Sequence, residues 1–439
     1  MEERQVVTAF LEFGGKIAVF RRSEEVSTYR GRFAGISGTI EGGRTPREQA
    51  RQEIAEETGL TDKAVLLSIG EVCPVEDEEL GIRFMVHPFM FHVASPELEL
   101  NFEHTEYVWL NPEELSEMET VPDLLITYRA VATAEAFQGA MDRLKQEIAS
   151  DRTSGALGLA AKGVYCLGIS QLLQRFHPDV AQNSFLEDAL EIANLRGGME
   201  AIRNGAAQAV LEYHRHDGAD LSDRLFSLGM GFRQQKAQAA DSAARWIRKQ
   251  GAQRIFTLSW SASVFETIKR LGPDVEVHVM ESSPGGEGTR QAESLAREGI
   301  RVTLYPDSAM HVAIRDCQVC LVGTDAVLST GNFVNKVGSA IAAQLSARIE
   351  IPLVVVTESI KLCPSQKWQR ETAPWRPVNY EGKNLMIWSE PFEECRGEWV
   401  KRYITDSGVE TAEEIQMECL NIQSELTRYG IHQAFYGTD

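Results

Sequence analysis

The chain has 439 residues, 43% of them hydrophobic, and a formal charge of −20 from 44 basic and 64 acidic side chains. Its length exceeds what one hydrophobic core ordinarily organises, so two or three globular domains are expected. The acidic balance argues against binding of nucleic-acid backbones or anionic membrane, and no uninterrupted apolar run reaches the roughly 18–20 residues of a membrane-crossing helix.

The seven cysteines follow no framework spacing. Their odd number and the lack of a signal-peptide pattern lead us to expect a reducing cytoplasm. Cys317 and Cys320 form a CxxC inside the apolar run "CQVCLVG". No second pair completes a zinc site, so both are expected in the core.

In chain order, residues 1–121 alternate like strands in "KIAVFRR", "IRFMVHPFMFHVASP" and "EYVWL", with one clear helix between them. That pattern predicts an α+β domain. Residues 122–250 lose the strand signal and carry Ala-, Leu- and Gln-rich stretches at helical spacing, a helical layer. Residues 251–439 alternate short apolar strands with helices, in "RIFTLS", "VEVHVME", "RVTLYPD", "VCLVGTD" and "IPLVVVTE". That is the signature of a parallel, doubly wound α/β (Rossmann-like) sheet.

The helix of the first region lies in "GTIEGGRTPREQARQEIAEETGL", residues 38–60. Thr45 is its expected N-cap, Pro46 its first position, Glu48 the capping-box partner and Gly59 its stop. Glu53, Glu56 and Glu57 are spaced i, i+3, i+4 and share one face. An acidic face is ordinarily just solvated. A divalent cation removes the mutual repulsion, and hard carboxylate oxygens suit Mg²⁺, with Mn²⁺ as the substitute. Gly38, Gly42 and Gly43 let a loop close over the helix start.

The full spacing resembles the Nudix box, with Gly38, Glu53, Ile54, Glu56, Glu57, Gly59 and Leu60 at matching positions. The flanking "GGKIAVFRRS", "GRFAGISG" and "EYVWLNPEEL" look like the family's strands. The resemblance implies a Mg²⁺-dependent hydrolase cleaving a nucleoside diphosphate linked to another group, with Glu53, Glu56 and Glu57 as catalytic metal ligands. Two positions depart. Arg44 stands where the family usually has Glu, and Gln52 where it has the Arg that holds a catalytic Glu. Gln hydrogen-bonds but forms no bidentate ion pair. Arg51 does not substitute, because one residue along a helix turns the side chain by about 100°. Glu103 and Glu106, ahead of Trp109, are candidates for a further carboxylate or for a solvated strand edge.

In the doubly wound region, ligands are expected at the carboxyl ends of the strands. Ser259, Glu281, Asp307, Asp325 and Glu358 follow the apolar runs there. "GTDAVLSTGNFVNKVGSAIAA" then places Asn335 and Lys336 at an expected helix start beside a Gly-rich turn, a cradle for phosphate. This stretch and "ESSPGGEGTRQAESLAREGIRVTLYPDSA" resemble the family of the translation initiation factor 2B regulatory subunits, ribose-1,5-bisphosphate isomerase and methylthioribose-1-phosphate isomerase. The likeness runs from about residue 122 to 435. It implies that Asp325 matches the isomerases' catalytic Asp, and that Arg196, Ser259, Ser261, Asn335 and Lys336 face a sugar phosphate or nucleotide. The isomerases' Cys position is Ser259, a far weaker acid than a thiol. Ser154 and Ser283 replace arginines, and only Arg196 of the family's Arg-Pro-Thr is kept. Binding is therefore expected to outlast isomerisation. The alternatives are a working sugar-phosphate isomerase and a non-enzymatic regulatory protein. The resemblance also implies a homodimer through the doubly wound region.

Overall fold

In the computed structural model, the described residues are 1–61, 64–151, 155–180, 183–216, 220–283, 285–368, 375–380, 383–388 and 390–437. They form two compact units. The first comprises Met1–Ser150, Lys162–Ala189 and Glu212–Met230; the second comprises Asp151–Ala161, Leu190–Leu211 and Gly231–Asp439.

The first unit is built on one mixed sheet. Its strands are β1 (Glu2–Phe13), β2 (Lys16–Arg22), β3 (Phe33–Ala34), β4 (Ile36–Thr39), β5 (Ala64–Ile69), β6 (Cys73–Asp77), β7 (Ile82–Val93) and β8 (His104–Leu110). The path runs β3-β2-β1-β7-β5, with β4 on β1, β6 on β7 and β8 on β2. β1 and β7 pair in parallel from Glu2↔Ile82 to Glu12↔His92. The inner half of β1 is buried on both faces, because different elements cover each. Ala9 and Leu11 pack with Ala50 and Ile54 of helix α1 (Pro46–Thr58). Phe10, on the other face, meets Tyr128 of α2 (Leu124–Val131) edge-on at 5.4 Å. The predicted "α+β" reading of residues 1–121 matches these elements.

The stretch read as helical holds α2, α3 (Ala134–Ser150), α4 (Ala156–Phe176), α5 (Phe185–Asn194), α6 (Glu200–Arg215) and α7 (Leu221–Gln250). Its residues contribute to both units. α4 is long and apolar enough to cross a membrane by length and composition, although most of that window is buried in the protein. The expectation that no such segment exists missed it because Lys162, Ser170 and Gln171 interrupt the apolar run without breaking the helix.

The second unit holds the doubly wound sheet. β9 (Arg254–Leu258), α8 (Ala262–Leu271), β10 (Glu276–Met280), α9 (Glu287–Arg297) and β11 (Arg301–Tyr305) wind one way. The chain then returns through α10 (Met310–Arg315) to β12 (Val319–Val322), continues through a second small sheet and α11 (Ser339–Arg348) to β15 (Leu353–Val356), and reaches β20 (Val400–Ile404). The small sheet contains β13 (Ala326–Leu328), β14 (Phe333–Lys336), β16 (Leu362–Cys363) and β19 (Phe392–Cys395); β17 (Trp375–Tyr380) and β18 (Lys383–Trp388) form a separate hairpin. The main order is β11-β10-β9-β12-β15-β20, all parallel, with β21 (Val409–Glu410) antiparallel at the edge. This is the 3-2-1-4-5-6 order of dinucleotide-type sheets, and the winding reverses between β9 and β12. Alternate strand residues feed two cores. Ile255, Val277 and Leu321 pack with α7, α8 and α9, and Phe256, Val322 and Val355 with α10, α11 and α12 (Ala412–Arg428). Cys317 and Cys320 lie in the second of these cores, and burial pushes both thiols up to about 12, so they act as small apolar groups.

Helix α9 starts hard against the end of β10. A methyl on Gly288 would overlap the carbonyl oxygen of Met280, a backbone atom that cannot swing aside. Gly288→Ala is expected to destabilise the protein by about 1–3 kcal/mol or more. A denaturant midpoint unchanged from the parent would contradict that close approach.

Candidate functional site

Helix α1 begins and ends as its sequence predicts. The Thr45 hydroxyl accepts from the Glu48 N–H at 3.3 Å, and the Glu48 carboxylate takes the Thr45 N–H at 2.8 Å. Gly59 closes the helix with a left-handed φ of 70°, its N–H on the Ala55 carbonyl. Anchored by Ala50 and Ile54 in the core, the helix grades its three carboxylates from inside to outside. Glu57 is 1% exposed, Glu53 is half-buried and Glu56 is exposed.

Each carboxylate has its own neutral holder. Gln49 Nε2 donates to Glu53 Oε1 at 2.7 Å, the Gln52 amide to Glu56 Oε1, and the His104 ring meets Glu57 Oε2 through Nε2. Gln52 thus does hold a glutamate, but the exposed one. Arg51 is turned away as expected, its guanidinium 5.4 Å from the centre of the Phe91 ring. Arg44 binds Glu41 at 2.7 Å and Gln49 Oε1 at 3.3 Å. Gly38 on β4 lies so close that a methyl there would overlap the Glu53 carboxylate.

Burial raises Glu57 well above the usual carboxylate range; Glu103 and Glu53 add to the rise, while Arg22 and the Ser37 N–H oppose it. Burial also raises Glu53 against the hydrogen bond from Gln49, with Glu56, Glu103 and Glu41 contributing. Burial and Arg22 lower His104 to about 4, so its ring is neutral. Glu103 therefore belongs to the cluster. Glu106 does not: it forms an exposed ion pair with Arg21.

A cavity of about 330 Å³ adjoins this cluster. Gly38, Ser37, Glu103, Arg22, Tyr29 and Phe84 are among its lining residues. Arg22, Tyr29 and Phe84 carry no motif and were not foreseen; only the sheet and its loops bring them together. Tyr29 has a φ of 52° and donates its hydroxyl to Asp77, while Arg22 Nε donates to the Thr28 carbonyl at 3.0 Å. The donor set fits a hard divalent cation. Glu57 Oε1 is buried without a hydrogen-bond partner, and the like charges of Glu53, Glu57 and Glu103 face one another. Glu53, Glu56 and Glu57, with Glu103, offer the carboxylate oxygens that Mg²⁺ or Mn²⁺ takes, while Glu12, His92 and Asp223 bring ligand atoms within 4.8 Å of one another elsewhere in the first unit.

In the second unit, Ser259, Glu281, Asp307, Asp325 and Glu358 all fall within three residues of a parallel strand's carboxyl end. Their work differs. Asp307 braces a turn, taking the N–H groups of Ser282 at 3.0 Å and Ser283 at 2.7 Å. The Ser259 N–H donates to the Ser282 hydroxyl at 2.8 Å. Glu358 is fully buried, on Lys361 Nζ at 2.9 Å and the Ser263 hydroxyl. Ser259 and Asp325 follow the two strands between which the winding reverses, by one and three residues. Ser259 holds a φ of 61°, a conformation that side chains other than Gly rarely adopt. Ser261 caps α8, and its own N–H donates to Gln291 Oε1 at 2.8 Å. Asp325 is half-buried; burial raises it, Lys361 and Lys336 lower it, and Glu358 raises it.

Asn335 and Lys336 correct the sequence reading. They do not start a helix but end strand β14, hydrogen-bonded into the sheet opposite Glu393 and Phe392. The helix begins at Ser339. Adjacent strand residues point to opposite faces, yet both side chains are buried, so β14 is covered on both sides here; Asn335 Nδ2 donates to the Ser339 hydroxyl at 2.8 Å. Lys336 Nζ is held by Glu287 Oε1 at 2.8 Å. Arg196 donates to the Asp151 carbonyl at 2.6 Å. Ser154 lies outside the described residues. Lys361, Glu358 and Glu287 were not foreseen as a set, although "ESIK" places Glu358 and Lys361 three apart.

Two family models match successive stretches of the chain. The NUDIX domain matches residues 1–130, and the initiation factor 2 subunit family matches residues 192–412, half of the chain. An eIF-2B subunit 2-like protein of Pyrococcus furiosus is 25% identical over 279 residues, 61% of this chain and 95% of that protein. Ribose 1,5-bisphosphate isomerase of Methanocaldococcus jannaschii is 28% identical over 154 residues, 34% of this chain and 50% of that enzyme. Among solved structures, translation initiation factor eIF-2B of Pyrococcus horikoshii OT3 aligns with a TM-score of 0.49 at 24% identity, over 61% of this chain and 96% of that one. The chain therefore belongs to the initiation factor 2 subunit family and carries a NUDIX domain at its amino-terminal end.

Proposed function

We propose that the protein is a divalent-metal-dependent pyrophosphohydrolase that cleaves a nucleoside diphosphate linked to a second group. The observation that carries this reading is the buried Glu57, whose Oε1 has no hydrogen-bond partner, clustered with Glu53 and Glu103, the last of which lines a cavity together with Arg22. When bound, the cation would neutralise the diphosphate and acidify the attacking water. Glu53, Glu56 and Glu57 would hold it. Arg22, half-buried in the cavity wall, offers its positive charge to a phosphate oxygen. Glu103, unpaired with Arg and facing the same cluster, is placed to take the water's proton. Phe84 and Tyr29 give a base or sugar an aromatic wall.

The second unit is proposed to bind a phosphorylated pentose or nucleotide at the switch between β9 and β12. Lys336 and Lys361 supply charge, and Ser259 and Ser261 supply backbone and hydroxyl groups. A hydrolase acting on an ADP-ribose-type substrate releases a ribose phosphate, which this crevice would then receive. We read the second unit as a binding device, because Ser259 replaces the thiol that moves the proton in the isomerases it resembles. The similarity to ribose 1,5-bisphosphate isomerase makes sugar interconversion the rival outcome.

Purified protein with Mg²⁺ or Mn²⁺ is expected to release a nucleoside monophosphate from at least one member of a panel of dinucleotides and nucleotide sugars. Glu57→Gln is expected to lower turnover by roughly 10²-fold or more. Gly38→Ala is expected to lower it too, by pushing the Glu53 carboxylate aside, while leaving the melting temperature nearly unchanged. Equal rates in parent and Glu57→Gln at saturating substrate would sink the hydrolase reading.

For the second unit the measurement is the melting temperature with ribose 1,5-bisphosphate or a nucleoside monophosphate. Ligand at 100 times its dissociation constant should add about 2.7 kcal/mol. Lys336→Ala should abolish the shift. Glu287→Gln should enlarge it, since Glu287 now occupies Lys336. Conversion of the bisphosphate to the ketose by the parent at about 1 s⁻¹ or faster would replace binding with isomerisation.

A further inference from the structure

The structure assigns to His104 the positioning of Glu57 for the cation, in place of the arginine that the box lacks at Gln52. This inference rests on the hydrolase reading and names a residue outside the box.

His104 is the first residue of β8 and sits opposite Arg22 in the sheet register. Its side chain is 1% exposed, and its ring lies 5.1 Å from that of Phe20, a core residue of the first unit. The imidazole therefore has no freedom to swing. Its Nε2 meets Glu57 Oε2, while Glu57 Oε1 is left buried without a hydrogen-bond partner. A carboxylate restrained through one oxygen presents the other in one direction, which is what a ligand to a small, geometrically demanding cation requires.

Each glutamate of the triad has a different holder: the Gln49 amide on Glu53, the Gln52 amide on Glu56 and the His104 ring on Glu57. Gln52 serves the exposed end of the cluster and His104 the buried end. The substitution at Gln52 is therefore compensated from another strand, not from the helix.

The test is Mn²⁺ binding, followed by electron paramagnetic resonance of free Mn²⁺ and by calorimetry, with no substrate present. His104→Phe keeps a ring against Phe20 but removes the donor, and is expected to weaken Mn²⁺ binding about 10- to 100-fold. His104→Gln, whose amide nitrogen reaches about as far as Nε2, is expected to stay within about threefold of the parent. A purely structural ring would give the opposite ranking, with Phe close to the parent and Gln impaired. If His104→Phe does not fold by circular dichroism, His104→Asn is read instead; its amide falls short of Glu57, and it should match the loss predicted for Phe. Glu57→Gln separates the two levels of the argument. If it leaves Mn²⁺ affinity unchanged, the metal site itself is wrong. If it weakens binding while His104→Phe and His104→Asn do not, only the role of His104 is overturned.

Discussion

Glu57 is a carboxylate taken out of water, and the arrangement of the first unit follows from that cost. A buried negative charge demands a proton, a fixed cation or a mobile one. Fixed positive charge is scarce around Glu57: Arg22 opposes its rise, while Glu53 and Glu103 promote it. His104 contributes a hydrogen bond without a charge. On the hydrolase reading, a divalent ion would relieve the repulsion and satisfy the orphaned oxygen together.

The second unit meets the same constraint in the other way. Glu358 is fully buried but lies on Lys361 and Ser263, and Glu287 holds Lys336. Asp325 is raised by burial but lowered by both lysines. Charge there is already balanced by side chains. Lys336 is thus already engaged by Glu287, whereas Glu57 Oε1 in the first unit has no hydrogen-bond partner.

Backbone proximity makes both sites possible. On β4, Gly38 allows the strand to run alongside Glu53, and on α9, Gly288 allows the helix to begin against Met280. The first clash would be with a movable carboxylate and the second with a carbonyl oxygen. Gly38 therefore matters for where a charge points, and Gly288 for whether a helix can dock at all. In the doubly wound sheet, two buried faces drive the strands together, and the reversal of winding leaves Ser259 and Asp325 at the seam.

The amino-acid sequence by itself determined what depends on neighbours along the chain. The capping box of α1, its stop at Gly59, the shared face of Glu53, Glu56 and Glu57, and the apolar strands of the parallel sheet were all legible, because helix and strand periodicities are local. Contacts between distant segments were not. Whether Glu103 or Glu106 joins the acidic cluster depends on which face of the sheet edge each occupies. That Lys336 ends a strand depends on its pairing with Phe392, fifty-six positions on. His104 stands forty-seven residues from Glu57 and bears no spacing signal. Only the folded sheet, by laying β8 against β2 and α1 against β4, decides which neutral donor reaches which carboxylate, because hydrogen bonds act across space and sequence motifs record only distance along the chain.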